Sequence, residues 1–334
     1  IDVFSSLQPG GLMTQLMGEN MMRKDGAQHL AERKMIFPTV SPRTVRDVWK
    51  SQFEEATREV LTRIAPKSEG DLVTDFAMPV SAHALRAITG LTNMNYAEMD
   101  RVSQGMIDGC SNFSGDLAVE ANCNDCTASI DRHIDARIGP LRQTPDLSLL
   151  SVSMEAGMPE VQIRANIKLA ISGGQNEPRD AIAGAIAALL EHPDQLQKVM
   201  NGEVTWLDVF EEYARWMSPI GMSPRRIAKR DTVNGVSFEP EDRAFLMFGS
   251  GNRDETVFEN PDRFDVTRDT GPAISFGAGP HFCAGAWASR CLIAEVALPM
   301  FFARFENVTL TAPVHYGGFA FRGPRAVHAK WLVQ

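Results

Sequence analysis

Apolar side chains along residues 41–64 recur three and four positions apart. Val45, Val48, Phe53, Val60 and Ile64 fall on one stripe, the period of a helix with one buried face. Ser41 as cap and Pro42 at the first helical position mark its start. The same period predicts a helix in "DGAQHLAERKMIF", ended by Pro38, and three more over residues 71–89, 96–112 and 119–138. Shorter helices are predicted at 194–200 and 204–217, and one from about 284 to 303 follows Cys283.

The longest helical segment is "MPEVQIRANIKLAISGGQNEPRDAIAGAIAALLEH". From Pro159 to Glu191 it would reach about 50 Å, enough to cross a domain of this length. Gly173, Gly174 and Pro178 interrupt its middle. Pro178 lacks a backbone donor and crowds the preceding turn, so a kink or widened groove is expected there. Strand-like alternation is confined to 225–247, with a turn at Asn234-Gly235, and to the tail "VTLTAPVHYGGFAFRGPRAVHAKWLV". Residues 1–25 and 249–275 carry little regular pattern. The sum is mainly α with a minor β part. Without a repeat, a low-complexity linker or a composition break, 1–334 reads as a single domain.

Composition narrows the function classes. With 44% hydrophobic and 22% charged residues the chain is ordinary and globular. Its net charge of −9 argues against nucleic acid, which selects basic faces. No run of eighteen apolar residues is found, so no membrane span is expected. With no secretory signal either, a cytoplasmic location is expected. The N-terminus "IDVFSSLQPGG" reads as mid-protein. Five cysteines, an odd and small number, suggest a reducing compartment and no disulfide framework. Cys123 and Cys126 in "CNDC" have a metal or redox spacing. No second pair follows and His133 is the lone nearby histidine, so they read as ordinary cysteines near a helix start.

The stretch "FGAGPHFCAG", residues 276–285, is different. Gly277, Gly279 and Gly285 would let the backbone wrap a flat partner closely, and Phe276 could pack on it. The helix predicted just past Cys283 would aim its N–H groups and positive end at the sulfur. That favours a thiolate, and a shielded thiolate is a good axial ligand for a haem iron. Phe276, Gly277, Gly279, His281, Cys283 and Gly285 resemble the haem-ligand loop of the cytochrome P450 superfamily, F-G-x-G-x-H-x-C-x-G.

Other motifs of that family follow in its order. Glu212 and Arg215 in "EEYAR" are similar to its E-x-x-R pair, and "NPDRF" to the loop that adds a third charge, Arg263. His29 and Arg33 in "HLAER", Arg226 in "SPRRIAK" with Arg225 as the alternative, and His281 match contacts to the haem propionates. The resemblance implies haem b between a long central helix and the cysteine-loop helix. It also implies an N-terminal lobe missing before the loop that precedes His29. Its long helix usually carries an acid–alcohol pair. Here "SGGQNEPRD" places Asn176 at the acid and Glu177 at the alcohol. Either Glu177 delivers protons itself, its pKa raised by burial, with Asn176 orienting a water, or O2 is not activated in the usual way.

Ile220, Met222, Phe319, Phe321, Leu169 and Ala170 are the expected pocket lining, with Leu12, Leu16 and Met17 from the preceding loop; Arg322 and Arg23 could hold a carboxylate above it. The expectation is a haem-thiolate monooxygenase inserting one oxygen atom from O2 into a small apolar, aromatic substrate, by hydroxylation or O-demethylation. "QNEP" and "GFAFRGP" resemble the O-demethylating bacterial branch. No flavin or iron–sulfur motif is visible, so electrons would come from a ferredoxin and reductase, docking on Arg43, Arg46, Lys50 and Arg290. The alternatives are a peroxide-driven or isomerising haem-thiolate enzyme, or a haem-based ligand binder.

Overall fold

The computed structural model describes residues 2–334. It is mainly helical, 58% helix against 11% strand. The chain forms two compact units, both discontinuous in sequence. The first takes the residues up to Ser41, Leu85–Gly173 and Ser223–Leu246; the second takes Pro42–Ala84, Gly174–Met222 and Met247–Gln334.

The first unit is built on helices Gly26–Val40, Tyr96–Cys110, Leu117–Gln143, Leu149–Glu155 and Glu160–Ser172. Asn95 and Asp116 cap the second and third of these, their side chains accepting from Glu98 N and Ala118 N at 2.8 Å. Those two helices pack closely because glycine faces cysteine. A Cβ on Gly105 would lie 2.4 Å from Cys126 Sγ, and one on Gly109 would lie 2.5 Å from Cys123 Sγ. Cys123 and Cys126 are therefore packing residues of a helix interface. Strand Ser223–Ile227 lies between Phe4–Ser5 and Arg243–Leu246. The hairpin Asp231–Val233 with Val236–Phe238 turns at Asn234 and Gly235, both at positive φ, as the sequence predicts.

Two helix ends differ from expectation. Pro38 lies inside Gly26–Val40 rather than ending it: its missing N–H removes one intrahelical bond, and two helical residues still follow. The helix stops at Ser41, whose ψ of 146° is extended, because a residue before proline is driven out of the helical region. The long segment is two helices. Glu160–Ser172 ends in the first unit at Gly173, and Asn176–Glu191 begins the next in the second unit. Pro178 is the third residue of that new helix, where its absent N–H would have no intrahelical acceptor. The break lies at Gly173–Gln175, with no kink to assign to the proline. Leu149–Glu155 has too short a period to be read from sequence.

In the second unit, Ala181–Leu189 of helix Asn176–Glu191 is almost entirely buried. Helix Trp206–Met217 starts with a capping box between Thr205 and Asp208 and reaches that core through Tyr213. The Tyr213 hydroxyl donates to Asp180 O at 3.3 Å and runs over Gly184, where a Cβ would sit 1.7 Å from it. His328–Val333 lies between Glu69–Asp71 and Phe305–Leu310 in one antiparallel sheet. The helical run Ala286–Arg304 is long and apolar enough to cross a membrane by length and composition, but 61% of it is buried inside the protein.

Candidate functional site

The cysteine loop lies in the second unit. It is closed by Cys283 N–H donating to Phe276 O at 2.9 Å and Phe282 N–H donating to Gly279 O at 3.0 Å. Gly277 and Gly279 have φ of 69° and 64°, a region that side chains resist. Gly285 has an ordinary φ of −86°, and a Cβ there would stand 3.9 Å from Cys283 Sγ, a normal contact. Within the chain, then, glycine is required at 277 and 279 but not at 285. Cys283 is exposed and in no disulfide. It lies two residues before Gly285, the N-cap of the run from Ala286, so the first-turn N–H groups lie on its side of the helix. Phe276 is half-buried, with the Arg290 guanidinium 4.8 Å from its ring centre. His281 ends the single turn Gly279–His281 and is half-buried.

An ion pair anchors this loop. Glu212 and Arg215 are fully buried and bidentate, Arg215 Nε and Nη2 donating at 2.7 and 2.8 Å. Arg215 Nη1 also donates to Asn252 O and Pro261 O at 2.8 and 2.9 Å. Buried Asn252 continues the chain: it donates to Ser275 Oγ at 3.1 Å and accepts from Ile274 N at 2.8 Å. Ile274 O in turn accepts from Gly277 N at 2.9 Å. The third charge differs from the sequence expectation. Arg263 is exposed and contributes its carbonyl, which accepts from Arg215 Nη2 at 3.2 Å. The side chain that reaches Glu212 is Arg268, with Nε 3.3 Å from Oε1. Asn252 and Arg268 carried no sequence signal, since both sit in the patternless 249–275.

Asn176 and Glu177 open helix Asn176–Glu191. Asn176 is buried. Glu177 is partly accessible, but its Oε2 is buried and has no hydrogen-bond partner. Burial pushes its carboxyl up to about 8, against the pull of its own backbone N–H. Two expected pocket segments of this unit meet: Ile220 bridges Phe321, and Gly221 N–H donates to Ala320 O at 2.8 Å. Met222 and Phe321 are half-buried, whereas Phe319 is 68% exposed and only its carbonyl faces Gly221. Arg322 passes over Gly221 and Gly249. The basic residues expected on a docking face all have acid partners. Arg43 and Arg46 pair with Asp47, Lys50 with Glu295 and Arg290 with Glu211.

The first unit holds the other expected residues. His29 is buried and Arg33 half-buried, one turn apart on helix Gly26–Val40. Leu169 and Ala170 are half-buried between buried Ile167 and Ile171. Arg226 donates to Leu7 O at 3.0 Å and pairs with exposed Glu241. Along a strand side chains alternate, so Arg225 shares its face with Ile227, which is 0% exposed. Burial lowers the Arg225 pKa and Asp25 partly restores it. Arg225 is thus the inward arginine, in place of Arg226. A cleft of about 490 Å³ lined by Ile134, Leu141, Met154 and Ile163 holds none of these residues.

The donor set fits a haem. Among the described residues no group of three His, Cys, Asp or Glu could hold a metal ion. An iron at Cys283 would need a partner that brings its own ligands, as a macrocycle does. A family model described as cytochrome P450 matches residues 119–310. Cytochrome P450 107B1 of Saccharopolyspora erythraea is 27% identical over 302 residues, covering 89% of this chain and 72% of that one. The 2-hydroxy-5-methyl-1-naphthoate 7-hydroxylase of Streptomyces carzinostaticus is 26% identical over 306 residues, covering 90% and 73%. The fold is similar to that of P450BioI crystallised with an acyl carrier protein ligated to hexadec-9Z-enoic acid. There the TM-score is 0.89 at 22% identity, covering 98% and 87%.

Proposed function

The chain belongs to the cytochrome P450 family, the monooxygenases that bind haem b through a cysteine thiolate, and from that premise we propose that Cys283 is the thiolate here and that the substrate is a small aromatic molecule. The observation that carries the reading is the cysteine loop: an exposed sulfur ahead of a long helix, on a turn that needs glycine at 277 and 279. A haem held by Cys283 would supply the chemistry of O2 activation, which the electron density of a thiolate ligand favours. His29, Arg33, Arg225 and His281 are the residues proposed to meet its propionates.

The chain's own residues do the rest. The Glu212–Arg215–Arg268 cluster, acting through Asn252, holds the backbone that carries Cys283. Glu177, neutral at pH 7 because burial raises it to about 8, holds a proton where the family's acid–alcohol pair would stand. Asn176 beside it orients a water for that proton. Ile220, Met222 and Phe321, whose segments meet in the second unit, exclude solvent and favour an apolar substrate. A naphthoate hydroxylase among the relatives supports an aromatic one. On a methoxy-arene, oxygen from O2, two electrons and two protons would give the phenol, formaldehyde and water. Electrons arrive from a separate donor, for which a ferredoxin-type protein is proposed.

The test is turnover with NADH, reductase and ferredoxin under isotopically labelled O2. One labelled oxygen per hydroxylated product is expected, and from methoxy-arenes an unlabelled phenol with formaldehyde that carries the label. Product formed from added peroxide alone would replace this reading by the peroxide-driven one.

A further inference from the structure

Arg23 ends the single turn Met21–Arg23 in the first unit. Its side chain is buried, the residue being 6% exposed, and Nη1 has no hydrogen-bond partner. The groups that act on it add no anion. Arg225 is a like charge, and the Cys110 thiol is neutral because burial pushes it up to about 12. Burial and Arg225 bring Arg23 down to about 10, which still leaves it charged at pH 7. The acids around it in sequence are used elsewhere or exposed. Asp25 accepts from Ser5 Oγ at 2.7 Å and Ser6 N at 2.8 Å. Glu32 is taken by Lys24 and by Asn166 Nδ2 at 2.8 Å, and Glu19 is exposed.

The backbone presenting Arg23 is fixed. Buried Asn20 caps the turn, accepting from Met22 N at 3.1 Å. Met21 N–H donates to Asn166 Oδ1 at 2.8 Å, and Lys24 is locked in a buried ion pair with Glu32. A guanidinium desolvated, held still and placed near a second guanidinium is unfavourable until an anion joins it. Its planar fork matches a carboxylate.

We propose that Arg23 is a carboxylate-binding site, and that the carboxylate is that of the substrate, an apolar aromatic acid. This rests on the haem-thiolate reading and names its substrate class. The cofactor's own two carboxylates would have His29, Arg33 and Arg225 as partners in this unit, and Arg23 remains for a ligand.

The test compares 4-ethylbenzoate with its neutral isostere 4-ethylbenzamide on the haem-loaded protein, by calorimetry and by the change in haem spin state. The native protein should bind the acid about 30-fold more tightly than the amide, the scale of one charge-assisted pair. In Arg23→Gln that ratio should collapse to about threefold or less, and in Arg23→Lys it should fall between. Haem content should be unchanged. Ligand-free Arg23→Gln should melt higher than the native protein, since an uncompensated buried charge is gone, and the acid should no longer raise its melting temperature.

Equal affinities for acid and amide in the native protein overturn the proposal. So does an Arg23→Gln variant that keeps the acid preference. A variant that loses haem while keeping the preference assigns the carboxylate to the cofactor and overturns the substrate assignment. Should Arg23→Gln not fold, the Arg23→Lys ratio decides alone. Calorimetry needs no haem signal, so failure of the thiolate reading would be seen separately, in the spectrum of the native protein with carbon monoxide.

Discussion

A carboxyl that burial raises to about 8, as at Glu177, keeps its proton at neutral pH and releases it just above. Glu177→Gln should therefore cut product formed per NADH consumed, while the substrate dissociation constant changes by no more than about twofold. Coupling in the native protein should fall as pH rises through 8, and the variant should be flat. Stability follows the same sign. The folded value lies above the unfolded one, so stabilisation by the proton is complete below about 4.5 and lost as pH rises through 8. Urea unfolding at pH 7 and 9 should show a larger loss for the native protein than for Glu177→Gln. The two strand arginines separate similarly. Arg225→Gln should speed haem release by about tenfold, the scale of one lost charge-assisted bond, and Arg226→Gln should leave it unchanged. Motif matching favoured Arg226. The signal that would have found Arg225 was the apolar Ile227 two positions on, which fixes the inward face of a strand.

Elements carry the second set of expectations. Gly184 is where Tyr213 crosses helix Asn176–Glu191. Gly184→Ala should destabilise by about 3 kcal/mol, the upper part of the range for overpacking. Thr205→Ala removes the capping box of helix Trp206–Met217 and should cost about 1 kcal/mol. Both are read by denaturant midpoints at constant slope. Arg268→Gln should lower haem retention and stability together, since Glu212 would lose a buried partner, while Arg263→Gln should change neither. Helix existence was legible wherever a stripe ran three turns or more. The break at Gly173 was legible as punctuation. The part of Pro178 was not, because a proline's effect depends on where the helix starts, and that start is set by the glycines before it.

At the scale of the molecule, both units are assembled from three distant stretches of chain. Local period cannot reveal such pairings: Glu69–Asp71 finds its partner strand at His328–Val333, and Ile220 finds Phe321. The dense cysteine loop was legible because it concentrates residues with special backbone demands. The Asn252 link and the Arg268 charge were not, because each is one polar residue in an irregular segment whose meaning comes from a fold already formed. The account as a whole depends on the sulfur at position 283 binding iron. The direct measurement is the absorption spectrum of the reduced, carbon-monoxide-treated protein, compared with that of Cys283→His. The native protein should show the red-shifted Soret band of a thiolate-ligated haem, and the variant should lose that band while keeping haem. A native spectrum without the red shift, or a variant that retains it, would contradict the account.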